Sequence, residues 1–254
     1  MKTILFTIIT FFGGLTSILG QTPPEFEFLN QEYKALTTDF EVLYSNSEFH
    51  LPSSTFNLPF TIDGPTEKFN VVNLGTSGID LFNADKTIQL YTLHFMVSDG
   101  VYSADWDSTT IVRLQKTGVS PNQVWTFEFE NVIFYELPGE YWSLQLSLDE
   151  AKNAISFHYG PITNLNPDHP LHTFPYIVCV GEWDETTMPI DSLFILDGNP
   201  ASPILTNGIE GRLTKSPELN TVYRFSYPRT SSIVSHTKGK VWTSQSEDGM
   251  CFHS

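Results

Sequence analysis

Apolar and polar residues alternate with a period of two through the middle of the chain. Trp125, Phe127 and Phe129 fall on one face of a pleated segment, with Glu128 and Glu130 on the other. Between Tyr141 and Leu148 the pattern recurs, with Trp142, Leu144, Leu146 and Leu148 inward, and Ile155, Phe157 and Tyr159 line one face of a returning segment. Such alternation marks half-buried β-strands, whose successive side chains point to opposite faces. Ser147 and Glu150 have the spacing of a helix capping box. The period of two continues on both sides of Asp149–Asn153, however, so this stretch predicts a hairpin. Further strands are predicted at Phe40–Tyr44, Phe69–Leu74, Thr87–Phe95, Thr109–Leu114, Thr173–Val180, Ser192–Leu196 and Thr221–Tyr227. Turn-forming clusters separate them, among them Asp63-Gly64-Pro65, Asp99-Gly100 and Pro138-Gly139. Many short strands with regular turns and no long helical period predict an all-β fold, a jelly-roll-like antiparallel β-sandwich forming a single domain. Its edge strands are expected to be blunted by charges and prolines.

The two ends of the chain break this pattern. Lys2 precedes an apolar run from Ile4 to Phe12, Gly13-Gly14 interrupts it, and Ser17 to Gly20 offer small residues for cleavage. That layout predicts a secretory signal peptide over residues 1–20, too short in its apolar part to anchor in a bilayer. Residues 21–227 then form the sandwich domain. After Tyr227 the composition turns to Ser, Thr, Lys and Gly, which predicts a tail or a loosely attached last strand over 228–254. No later run is apolar and long enough to cross a membrane, so no membrane insertion is expected. The implied location is secreted or at the cell surface, with the periplasm as the alternative.

Charge narrows the partners. The formal net charge is −16, and loss of Lys2 with the signal leaves −17. Phosphate backbones and anionic lipid surfaces would be repelled, so no nucleic acid partner is expected. Twenty Phe and ten Tyr favour pleated, half-buried surfaces. The two cysteines make no disulfide framework. Cys179 lies in an apolar run that reads as a buried strand, Cys251 lies near the end, and whether they pair is open. No Asn-x-Ser/Thr acceptor occurs, which points to a bacterial source.

The order of several segments resembles a module common in secreted Bacteroidetes proteins, often followed by a C-terminal sorting domain for type IX secretion. The segments are Lys116 to Asn122, Glu130 to Tyr135, Trp142 to Leu146, Ile155 to Pro161, Asp197 to Pro203, and Pro217 with Thr221 to Phe225. The resemblance runs from about residue 30 to 227. It implies a β-sandwich with an extracellular or cell-surface role and brings no catalytic residues with it. The sorting domain itself is not expected in the short stretch after Tyr227, which leaves type IX export open against periplasmic release.

Five groupings carry candidate chemistry. Glu128 and Glu130 share a strand face about 7 Å apart, a spacing open to glycoside acid–base work; beside core aromatics they read as a solvated face. Glu182 and Asp184 match two of the three alternating acids of laminarinase-like jelly-roll hydrolases, but Thr186 stands where the third is required. Otherwise this is an acidic loop with Trp183 partly packed. Asp99, Asp105 and Asp107 gather hard oxygen ligands beside Trp106, as calcium would need, though not at EF-hand spacing. Asp168, His169 and His172 offer zinc ligands on a proline-bounded loop rather than on a rigid element. His158, between Phe157 and Tyr159, reads as a surface or hydrogen-bonded strand histidine.

The function that follows is a non-enzymatic module that binds a glycan or a cell-surface protein. Trp106, Trp183 and Tyr141 are the candidate contacts, with Trp242 a further exposed-looking ring, since aromatic faces suit sugars and protein partners alike. Calcium at the aspartates is the one cofactor contemplated. A polysaccharide hydrolase using Glu182 and Asp184, or a purely structural and adhesive module, are the alternatives.

Overall fold

A computed structural model of the protein describes residues 23–45, 54–75, 78–94, 104–105, 110–134, 140–163, 179–184, 193–207, 213–229, 242–246 and 249–253. Among these residues the fold is all-β, with no helix. The strands are β1 (Glu25–Asn30), β2 (Phe40–Ser45), β3 (Ser54–Asp63), β4 (Lys68–Gly75), β5 (Gly78–Asn83), β6 (Ile88–His94), β7 (Ala104–Asp105), β8 (Ile111–Thr117) and β9 (Val124–Phe134). They continue with β10 (Tyr141–Asp149), β11 (Ala154–Thr163), β12 (Cys179–Asp184), β13 (Leu193–Asp197), β14 (Ile204–Asn207), β15 (Thr221–Ser226), β16 (Trp242–Ser246) and β17 (Gly249–His253).

Two antiparallel sheets build the sandwich. The first has the order β1-β15-β11-β10-β9-β8-β2, with β7 added on β9, and the second runs β14-β13-β12-β6-β5-β4-β3. Among the described residues, strands β16 and β17 pair with each other alone. The alternation read from the sequence sets which face meets the other sheet. Phe127, Phe129, Leu144, Leu146, Leu148, Ile155 and Phe157 are at most 4% exposed and share one core with Ile62, Phe69, Val72, Leu74, Ile79 and Leu81 of the second sheet. Phe56 and Phe127 meet across the sheets at 6.2 Å between ring centroids. Burying a side chain of this size contributes roughly 1.5–3 kcal/mol.

The hairpin expected at Asp149–Asn153 is present, and it ties the sheets together at one end. Asn153 holds φ at 51°, a left-handed conformation that Asn tolerates better than most residues. From there its Oδ1 accepts the Asp63 amide at 2.7 Å, and its Nδ2 donates to the Tyr227 carbonyl at 2.8 Å. One buried side chain thus joins β3, the β10–β11 turn and the end of β15. The neighbouring Glu150 accepts from Ser120 Oγ at 2.7 Å and the Gln123 amide at 3.1 Å, which pins the β8–β9 turn to the same end.

Replacing Asn153 by Ala leaves the Asp63 amide and the Tyr227 carbonyl buried without this partner. Each such group costs roughly 1–3 kcal/mol. Urea unfolding is expected to show a loss of about 2 kcal/mol or more; a loss below about 0.5 kcal/mol would mean that the end is closed by packing alone.

Candidate functional site

The register of four neighbouring strands sets a row of polar residues across the outer face of the first sheet. Arg113 of β8 lies opposite Glu128 of β9, Glu128 opposite Gln145 of β10, and Gln145 opposite His158 of β11. Each alternates with core residues, and so faces away from the core. The strand spacing puts successive members about 4.8 Å apart. Alternation alone placed Glu128 and Glu130 on a solvated face. For Glu128 this is overturned, since it is 0% exposed.

The cover is the chain's own segment 31–39. Strand β1 lies at one edge of the sheet and β2 at the other, and the residues between them cross the outer face as a strap. Its anchors follow the strand order. The Gln31 amide donates to the Asn220 carbonyl at 2.9 Å, and the Gln31 carbonyl meets His158 Nε2 at 2.8 Å. The Tyr33 amide donates to Asn220 Oδ1 at 2.8 Å, and its hydroxyl donates to Glu128 Oε1 at 3.0 Å. Gln145 Nε2 donates both to the Lys34 carbonyl at 2.8 Å and to Glu128 Oε1 at 2.9 Å. The Leu36 amide donates to both Glu128 oxygens, at 3.1 and 3.2 Å, and Gln115 Nε2 donates to the Thr38 carbonyl at 3.0 Å. Gly160 admits the tyrosine ring: a Cβ there would stand 2.7 Å from Tyr33 and 2.9 Å from the Ser143 carbonyl oxygen.

Charge closes the site. Arg113 Nη1 donates to Glu128 Oε2 at 2.9 Å and also pairs with Glu130, which is partly exposed. The guanidinium further lies 5.1 Å from the centroid of the Phe40 ring, where the strap enters β2. Burial works against the Arg113 charge, but hydrogen bonds to Glu130 and Glu128 outweigh it and hold its pKa above the usual guanidinium value. Burial, and next the Glu128 charge, push the Tyr33 phenol well above its ordinary range, so it stays protonated as a donor. Burial also lowers the His158 pKa, against a smaller opposing effect of the bond to Gln31. A small polar cavity of about 210 Å³ lies beside the strap, lined by Gln31, Glu32, Lys34, Gln145 and His158.

The residues singled out from the sequence lie elsewhere. Tyr141 opens β10 opposite Thr163 and is half-buried. Asp105 pairs with Ile133 of β9, whose other side carries β10, so Asp105 and Tyr141 flank β9 at one end of the sandwich. Trp183 and the acids Glu182 and Asp184 belong to strand β12 rather than to a loop. Their partners on β6 are Gln89, Leu90 and Ile88. That register sets Trp183 near the β5–β6 turn, at the end where Asn153 joins the sheets, and so apart from Tyr141. Trp242 lies on β16 and Cys179 and Cys251 on β12 and β17. Asp99, Trp106, Asp107, Thr186, Asp168, His169, His172 and the signal segment 1–20 lie outside the described residues. Among the described residues no group of three His, Cys, Asp or Glu is placed to hold a metal ion, and no helix is long and apolar enough to cross a membrane.

The strap itself escaped the sequence reading. Residues 31–38 have neither strand alternation nor turn chemistry, and the local signals were Tyr33, Ala35 and Leu36 in an otherwise polar run.

The family model described as NIDO related matches residues 25–227, from the first residue of β1 to the residue after β15. The chain belongs to this family of extracellular-type modules. Neither a curated protein nor a solved structure matches the chain.

Two measurements test the site. Removing one partner of a buried ion pair costs roughly 3–5 kcal/mol, so Glu128→Ala is expected to lower unfolding free energy on that scale, with Glu128→Gln losing clearly less. An Ala variant within about 1 kcal/mol of the wild type would show that the strap holds without the carboxylate. For His158 the folded state disfavours the charged ring, so the unfolded chain binds the proton more readily. Stability is then full above the unfolded histidine pKa of about 6.5 and falls as the pH drops through it towards the lower folded value. His158→Gln is expected to flatten that slope between about pH 7 and pH 5; an unchanged slope would assign it to other groups.

Proposed function

We propose that the chain is a secreted or cell-surface, non-enzymatic module that binds a glycan at the end of the sandwich where Tyr141 and Asp105 flank β9. The observation that carries this reading is the occupation of the buried polar row. Glu128, Gln145 and His158 hold the module's own strap and Arg113 is paired with Glu128 and Glu130, which leaves the face a rigid support rather than a reaction centre. Membership of a family of extracellular-type modules agrees with it. So does the half-buried ring of Tyr141 at the strand end, because a ring fixed by its strand presents a flat apolar face at little entropic cost. Trp106 follows Asp105 directly in sequence and is the natural second ring, with calcium at Asp99, Asp105 and Asp107 as the ordering ion. Trp183, on the far end of the facing sheet, is assigned no part in this contact. The export signal at residues 1–20 and a Bacteroidetes source complete the proposal.

The test is a glycan array probed with the purified chain, with and without calcium. Saturable binding to one sugar class is expected. Tyr141→Ala and Trp106→Ala should each weaken it roughly tenfold, the scale of one lost aromatic contact, whereas Trp183→Ala should leave it unchanged. Silence across the array together with capture of a defined surface protein would replace the glycan by a protein partner.

A further inference from the structure

We propose that β1 and the strap form one exchangeable unit, whose second acceptor is the same outer face on another copy of this chain. The bonds that hold residues 25–36 run to strands remote in sequence. Strand β1 pairs with β15, Gln31 and Tyr33 bond Asn220, Gln31 meets His158, Lys34 meets Gln145, and Tyr33 and Leu36 converge on Glu128. None of these partners lies on β2, to which the strap leads. A second copy offers the same residues in the same register, so exchange replaces each of these bonds by an identical one. Only the hinge has to change.

That hinge is Thr37–Asp39, whose bond from Gln115 Nε2 to the Thr38 carbonyl has to break when it extends. Immediately beyond it the chain is anchored again, where Phe40 pairs with Gln115 of β8. Asp39 holds φ at 54°, the left-handed region that residues other than glycine adopt at a cost. The closed strap therefore turns back over its own sheet through a strained residue, and an extended hinge removes that strain while directing the strap to a neighbour. Exchange of an identical element through a short hinge is a low-cost route to a dimer. In the exchanged form Tyr33 and Leu36 of one copy complete the Glu128 site of the other, so each site is composite.

Two hinge variants push in opposite directions. Asp39→Pro fixes φ near −65° and excludes the closed turn, whereas Asp39→Gly accepts the left-handed conformation freely. Light scattering of the full chain over a concentration series is expected to show Asp39→Pro dimerising roughly tenfold more tightly than wild type, the scale of the strain involved, and Asp39→Gly less tightly. A second experiment does not depend on the proline variant folding. Tyr33→Ala carries a damaged strap and a sound acceptor, and Glu128→Ala carries the reverse. Mixed and refolded together, they are expected to give a heterodimer with one intact site that melts above either variant alone. The proposal is overturned if both hinge variants stay monomeric throughout, or if the mixture melts as the sum of its components.

Discussion

A carboxylate closed off from water on the outside of a sheet must be met by fixed donors, and the architecture of this module depends on how Glu128 meets them. Its oxygens receive a phenol, a backbone amide, a side-chain amide and a guanidinium, drawn from the strap, β10 and β8. A buried ion pair contributes little net stability once desolvation is counted, but losing one member is costly. The network is therefore best understood as fixing one path for the chain. Arg113 and Gln145 meet Glu128 from the sheet itself, and the route that brings Tyr33 and Leu36 over it supplies the remaining two donors. Gly160 admits the ring on that route, since any Cβ there collides with it.

Two layers with different chemistry result. Between the sheets the aromatic and aliphatic faces of β9, β10 and β11 pack against β3, β4 and β5, and apolar burial does the holding. Outside the first sheet the holding is by directional polar bonds. The first layer tolerates volume-conserving exchange; the second depends on donor and acceptor identity. The charged residues of the polar row are thus explained by architecture, which moves the search for a binding surface to the ends of the sandwich.

How much of this was legible in the sequence follows from what alternation encodes. It named β9, β10 and β11 and their inward faces, because each has apolar residues at every second position over many residues. Among the strands that alternation did not mark, β1, β3 and β5 each have their own reason. Pro59 interrupts β3, β5 is a short apolar run entered through Gly78, and β1 adjoins the proline pair Pro23-Pro24. A period of two separates the two faces of a strand but is silent on whether the outer one is covered. Glu128 therefore read as solvated, as it would have been without the strap. The cover comes from residues about ninety positions earlier, and no local pattern ties Tyr33 to Gly160 or Leu36 to Glu128. Likewise Trp183 and Tyr141 looked alike as aromatic candidates, and only the register of β12 on β6 separates them.

The most direct test of this account is hydrogen exchange at the Leu36 amide, which lies in a segment with no ladder of its own and is held by Glu128 alone among the bonds described. In the wild-type chain it should be protected nearly as well as the amides of β10, and in Glu128→Ala, which removes both acceptor oxygens, it should exchange far faster than the amides of β10 in the same variant. Exchange at Leu36 as fast as in an exposed loop of the wild-type protein would contradict the strap as the constraint on which the module is built.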